Sequence, residues 1–245
     1  MRLTRVFHTG QLSIGDNIKL GKENARHLAS VLRLKQGQEI ILFNGQGGEY
    51  QASITEAYKG RMSVVIDEFL NADRESDLRI VLAQGIAKTQ RMDYSLQKAV
   101  ELGVSRIQPV LTERGNTPLK ASLIEKKQAH WQGIVSSASE QSGRTALPQL
   151  DQACLLDDYL KNSPKEALRL VLNPLASGSF RDIQMQGQEI HILVGPEGGL
   201  TEKEIAQAEK AGFLGVRMGP RILRTETASS AAISIIQTLW GDMGA

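Results

Sequence analysis

With 245 residues, an apolar share of 41% and a formal net charge of +2, the chain can bury one large core or two modest ones, and its overall charge does not by itself mark a nucleic-acid binder. The single cysteine, Cys154, excludes an internal disulfide framework, and the four histidines (His8, His27, His130 and His191) show no spacing that would gather a metal. No apolar run approaches the roughly 20 residues that cross a bilayer, and the opening residues lack the apolar middle of a signal peptide, so a cytoplasmic protein with no membrane segment is expected.

In chain order, Leu3–His8, Gln38–Asn44, Glu49–Ala57 and Met62–Phe69 are rich in β-branched or aromatic residues and predict short strands. Gly45-Gln-Gly-Gly48 predicts a hairpin turn between two of them. One helix is expected over Asn24–Arg33, with Leu28, Val31 and Leu32 as a narrow apolar stripe. Residues 1–72 therefore read as a small β-barrel domain. They hold nine Lys/Arg against seven Asp/Glu, which leaves twenty of each for residues 73–245, so any affinity for RNA must come from local clusters.

The polar stretch Asn71–Asp77 precedes a change of pattern. Buried strands are expected at Leu78–Ala83, Arg106–Val110, Leu168–Leu172, His191–Val194 and Gly215–Met218. Helices are expected between them: Tyr94–Leu102 closing on Gly103, Leu123–Ser139 with Ile124, Trp131, Ile134, Val135 and Ala138, and Thr201–Ala211 closing on Gly212. A last helix from near Thr225 carries Ala228, Ala231, Ala232, Ile235, Ile236 and Leu239 at helical spacing, a face to bury against the sheet or a partner. Alternating strands and helices predict a mostly parallel sheet covered on both faces, an α/β domain over residues 73–245.

Two segments carry chemistry. In Glu189–Glu204 a buried strand breaks into Gly195-Pro-Glu-Gly-Gly199 and a helix follows, with Thr201 and Glu204 as a capping box. Three glycines let a ligand approach the backbone, and the helix start offers free N–H groups. A tight connection alone would explain the glycines, but not the carboxylate of Glu197 within it. Val216–Ala228 repeats the logic: a strand end, the bend Gly219-Pro220, and a helix start. Of its three arginines, Arg217 lies in the strand and reads as solvated rim, whereas Arg221 and Arg224 flank the loop and suit phosphate or base contact.

The expected first strand of the α/β domain offers only Gly85 after it, so a dinucleotide fingerprint is absent and the ligand site is placed late in the chain. The residues alone leave an anion or cofactor site of unspecified kind. A non-catalytic RNA-binding dimer and an enzyme acting on a phosphorylated small molecule are alternatives, the second without a P-loop lysine pattern.

Across nearly the whole chain the sequence resembles the RsmE-type methyltransferases of the SPOUT superfamily. The resemblance rests on Arg5-Val-Phe7, His27-Leu-Ala-Ser-Val-Leu-Arg33, Lys88–Arg91, Gln97–Val104, Ser139-Glu-Gln-Ser-Gly-Arg144, and above all on Gly195–Gly199 with Arg221-Ile-Leu-Arg-Thr-Glu-Thr-Ala228. It implies an N-terminal PUA-like β-barrel, a C-terminal α/β domain with a deep trefoil knot, a homodimer, and transfer of a methyl group from S-adenosylmethionine to N3 of a uridine in 16S ribosomal RNA of the small subunit. The implied cofactor residues are Asn173, Pro174, Gly195, Pro196, Gly198, Gly199, Met218, Gly219, Ile222 and Leu223. Met218 stands where leucine is common, and His130 where an arginine is typical. For catalysis, Arg224 is expected to orient the uracil, with Glu226 or Glu197 fixing that arginine or taking the proton. Arg5, His27, Arg33, Arg114, Arg144 and Arg221 are the expected RNA contacts, with the target base swung out of any helix.

Overall fold

The computed structural model describes residues 3–58, 60–115 and 121–244. These form two compact units, Met1–Glu75 with Ser139–Leu147, and Ser76–Ala138 with Pro148–Ala245. Ser139–Leu147 thus joins the first unit, although sequence pattern alone divides the chain at residues 72 and 73.

In the first unit, strands β1 (Arg5–Phe7), β2 (Asn17–Lys19), β3 (Glu39–Phe43), β4 (Glu49–Tyr58) and β5 (Arg61–Leu70) form one sheet in the order β1-β3-β4-β5-β2. Alternation along β4 and β5 turns Ile54, Met62, Val64 and Ile66 into a core shared with Leu28, Ile40 and Leu42. The short edge strand β2 has too little alternation to be legible in sequence. The expected helix over Asn24–Arg33 is shorter and less regular: α1 (Lys22–Arg26) widens into a π-helical turn at His27–Val31. That turn rotates Val31 and Leu32 out of the predicted stripe, leaving them 66% and 41% exposed while Leu28 is buried. Arg33 follows in the left-handed region, with φ 56°.

The polar stretch Asn71–Asp77 is pinned through Arg74 and Glu75. Arg74 donates to both carboxylate oxygens of Glu49 at 3.0 Å. Glu75 accepts from Nε of Arg144 at 2.9 Å and from the N–H groups of Thr145 and Ala146 at 3.0 Å. Arg5 also pairs with Glu49, beneath the surface.

The second unit holds β6 (Arg79–Gly85), α2 (Thr89–Glu101), β7 (Arg106–Leu111), β8 (Gln149–Leu150), β9 (Cys154–Leu155), α4 (Leu156–Asn162), β10 (Leu168–Leu172), β11 (Glu189–Val194), α5 (Glu202–Lys210), β12 (Leu214–Val216) and α6 (Thr225–Trp240). Helix α3 spans Ala121–Ser142. The sheet is parallel throughout, in the order β12-β10-β11-β6-β7-β8, with β9 also on β7. Continuous apolar runs in β6, β7 and β11 are buried, as strands covered on both faces require.

Helix α6 packs on α2 and on strands β6 and β11. Its buried face is Ser229, Ala232, Ile233, Ile236 and Gln237, offset from the predicted stripe, and Leu239 is 47% exposed. That face includes a buried glutamine. Gln237 donates to Leu102 O at 3.0 Å and accepts from Ser76 Oγ at 3.1 Å, so this polar side chain is satisfied in the interior. No described helix is long and apolar enough to cross a membrane.

Candidate active site

The strand order decides where the site lies. Because β12, β10 and β11 are neighbours and parallel, the segments leaving their carboxyl ends share one edge of the sheet, where α/β folds place ligands. A cavity of about 610 Å³ opens there, within the usual range for a small-molecule site.

Each wall has a local cause. After β10, Asn173 accepts the Leu175 N–H on Oδ1 at 2.9 Å, and its own N–H donates to Val216 O at 3.0 Å, fastening this turn to β12. After β11, Gly199 N donates to Pro196 O at 2.9 Å and closes the glycine turn. The turn needs Gly195 for packing: a Cβ there would lie 2.9 Å from the Gly199 carbonyl carbon and from Leu200 N. After β12, Arg217 N donates to Gly178 O at 2.9 Å, and Gly219 turns the chain with φ 72°.

All ten cofactor candidates line this one cavity: Asn173, Pro174, Gly195, Pro196, Gly198, Gly199, Met218, Gly219, Ile222 and Leu223. Glu197, Arg114 and Arg221 join them. Arg224 and Glu226 do not; Thr225 between them does. Arg224 is exposed at the N-cap of α6, and Glu226 Oε2 is buried without a hydrogen-bond partner. Glu197 is held by α2 rather than by Arg224. Its Oε1 accepts Lys88 N–H at 2.9 Å and lies 3.8 Å from Arg91 Nε.

The candidate RNA contacts separate by setting. His27, Arg33, Arg114 and Arg221 are exposed. Arg5 and Arg144 are buried and paired with Glu49 and Glu75 inside the first unit, which makes them internal struts there. Arg114 reaches back through Nη1 to Gly198 O at 3.2 Å. His130 is 2.9 Å from Asp93, well apart in the chain from the cavity-lining segments.

The buried contacts of three polar residues escaped the sequence reading. Gln84 is fully buried near the end of β6, and its Nε2 donates to Thr225 Oγ at 3.0 Å. Thr225 Oγ donates to Gly195 O at 2.6 Å. Glu204 completes the predicted capping box with Thr201, and its Oε1 also accepts Glu113 N–H at 2.7 Å, tying the β7 exit to the start of α5. The one available signal was a glutamine closing an otherwise apolar strand, Ile80-Val-Leu-Ala-Gln84.

Comparisons with known proteins identify the family. A sequence model of the RNA methyltransferase domain matches residues 74–237, and one of the RNA methyltransferase PUA domain matches residues 20–67. The ribosomal RNA small subunit methyltransferase E of Buchnera aphidicola subsp. Schizaphis graminum is 32% identical, over 99% of this chain and 98% of its own length. The crystal structure of a ribosomal RNA small subunit methyltransferase E from Neisseria gonorrhoeae bound to S-adenosyl methionine is 41% identical, with a TM-score of 0.92, covering 99% of this chain and all of that one. A Legionella pneumophila protein solved with the bound cofactor SAM is 39% identical, with a TM-score of 0.95 over 99% of this chain and 100% of its own.

Proposed function

The chain belongs to the ribosomal RNA small subunit methyltransferase E family, and from that premise we propose that it transfers a methyl group from S-adenosylmethionine to N3 of a uridine in 16S ribosomal RNA. The observation that carries this reading is the convergence of all ten expected cofactor residues on one cavity. Its chemistry fits the cofactor. Backbone of the glycine turn and aliphatic side chains such as Leu172, Val194, Ile222 and Leu223 suit an adenine face, while Arg114, Arg217 and Glu197 offer charge to the polar end.

When bound, the cofactor supplies an electrophilic methyl group on its sulfonium. The protein must hold the uracil anion beside it, so that the N3–C bond forms as the S–C bond breaks and the N3 proton leaves to a base. Arg224, exposed at the N-cap of α6, is the group we assign to hold the uracil oxygens. Of the two candidate carboxylates we assign proton removal to Glu226, whose Oε2 has no hydrogen-bond donor, because Glu197 Oε1 is engaged by Lys88 and lies near Arg91. Glu197 organises the pocket by clasping the glycine turn to α2.

The substrate contacts we assign are His27, Arg33, Arg114 and Arg221, with Arg5 and Arg144 bracing the first unit. A homodimer completes the reading: Ala228, Ala231, Ile235 and Leu239 form a second apolar stripe on α6, and none of them is buried in the single chain. The threading of the trefoil knot is part of the same family expectation.

The test is Arg224→Ala. Calorimetry should show S-adenosylmethionine bound as in the wild type, while methyl transfer to unmodified ribosomal RNA is lost; transfer at the wild-type rate would contradict the assignment.

A further inference from the structure

Thr225 is the first residue of α6 and stands between the two side chains assigned to the uracil. It is 5% exposed. Its hydroxyl donates to the carbonyl of Gly195, the first residue of the glycine turn, at 2.6 Å, and accepts from Gln84 Nε2 at 3.0 Å. Gln84 in turn is fixed at the end of β6, with Nε2 also 3.0 Å from Gly85 O. One hydroxyl therefore joins three segments: the exit of β6, the entry of the cofactor turn and the start of α6.

The supports on either side are unequal. The glycine turn has further fastenings: Gly199 N to Pro196 O, Glu197 to Lys88 N, and Arg114 to Gly198 O. The start of α6 has no side-chain cap, since its N-cap is Arg224 itself. Losing the hydroxyl would leave the turn fastened and free the helix start.

We infer that the Thr225 hydroxyl, oriented by Gln84, is a positioning group for methyl transfer: it sets Arg224 and Glu226 in register with the cofactor turn, and so acts on kcat rather than on cofactor affinity. The inference rests on the reaction proposed above. Small displacements of reacting groups are costly, so a loosened register should show as a large rate effect.

The experiment compares wild type with Thr225→Val, Thr225→Ser and Gln84→Leu, each checked by thermal melting. Thr225→Val keeps the shape and removes the hydroxyl. It should lower kcat about tenfold or more while the Kd for S-adenosylmethionine by calorimetry stays within about threefold. Thr225→Ser should restore most of kcat, and Gln84→Leu should lower kcat in the same direction as valine. Wild-type kcat in Thr225→Val, a serine variant as impaired as valine, or a loss of cofactor affinity matching the loss of rate would each overturn the inference. A wild-type protein that binds cofactor but transfers no methyl group would overturn the reaction itself, and the positioning role with it.

Discussion

The His191 imidazole is buried in β11, with Nδ1 2.9 Å from the Tyr159 hydroxyl and Nε2 2.9 Å from Glu189 Oε1. Burial lowers its pKa from the ordinary 6.5, and Glu189 only partly offsets this. The unfolded chain therefore binds the proton more readily than the folded one. The neutral histidine's contribution is fully present above pH 6.5 and is lost as pH falls through that value towards the lower folded pKa. Lowering the pH from neutral to mildly acidic should reduce the melting temperature, and His191→Gln should flatten that slope. An unchanged slope in the variant would show that His191 keeps an ordinary pKa in the fold. Such a residue is invisible to sequence reading, because an isolated histidine in an apolar strand gives no sign of which groups will meet its two nitrogens.

At the level of elements, glycine makes the sharpest prediction. In the turn after β11, a Cβ at Gly195 would stand 2.9 Å from backbone atoms of Gly199 and Leu200, which cannot yield without opening the turn. Gly133, inside α3, has nothing within 4 Å of its would-be Cβ. Gly195→Ala should weaken S-adenosylmethionine binding by about tenfold or more, roughly 1.4 kcal/mol. Gly133→Ala should instead stabilise the fold by about 0.4–1 kcal/mol, through the entropy of the unfolded chain. Calorimetry and chemical denaturation would read the two, and equal effects would contradict the packing argument. The Gly195 turn was legible in sequence because a strand, three glycines and a capping box lie consecutively. Its attachments were not: Gln84 and Thr225 are 141 positions apart and become partners only through the order of the sheet. Apolar periodicity found α6 and two of its buried residues, Ala232 and Ile236, but not Gln237, which lies on the same buried face. It likewise missed the π-helical turn that exposes Val31 and Leu32, a change of pitch that composition does not encode.

For the molecule as a whole, a net charge of +2 means that RNA affinity depends on where the cations stand rather than how many there are. Arg5 is buried against Glu49, and breaking a buried pair of this kind costs about 3–5 kcal/mol, so Arg5→Ala should act on folding before it acts on RNA. Arg33 and Arg221 are exposed. If each meets a phosphate, replacing either by alanine should weaken RNA binding at low salt and reduce the slope of log affinity against log salt by about 1, with melting temperature little changed. Slopes equal to wild type would remove them from the RNA-contacting surface. The two-domain character and the parallel sheet could be seen in the chain's change of pattern near residue 73, whereas the inclusion of Ser139–Leu147 in the first unit depends on contacts of Glu75 with Arg144, Thr145 and Ala146 that lie about seventy residues apart. The central claim is tested most directly by incubating the protein with S-adenosylmethionine and either unmodified 16S ribosomal RNA or small subunits, then digesting the RNA and identifying the methylated nucleoside by mass spectrometry. The account predicts a single new N3-methyluridine; a methyl group on another base or on ribose, or no transfer to either substrate, would contradict it.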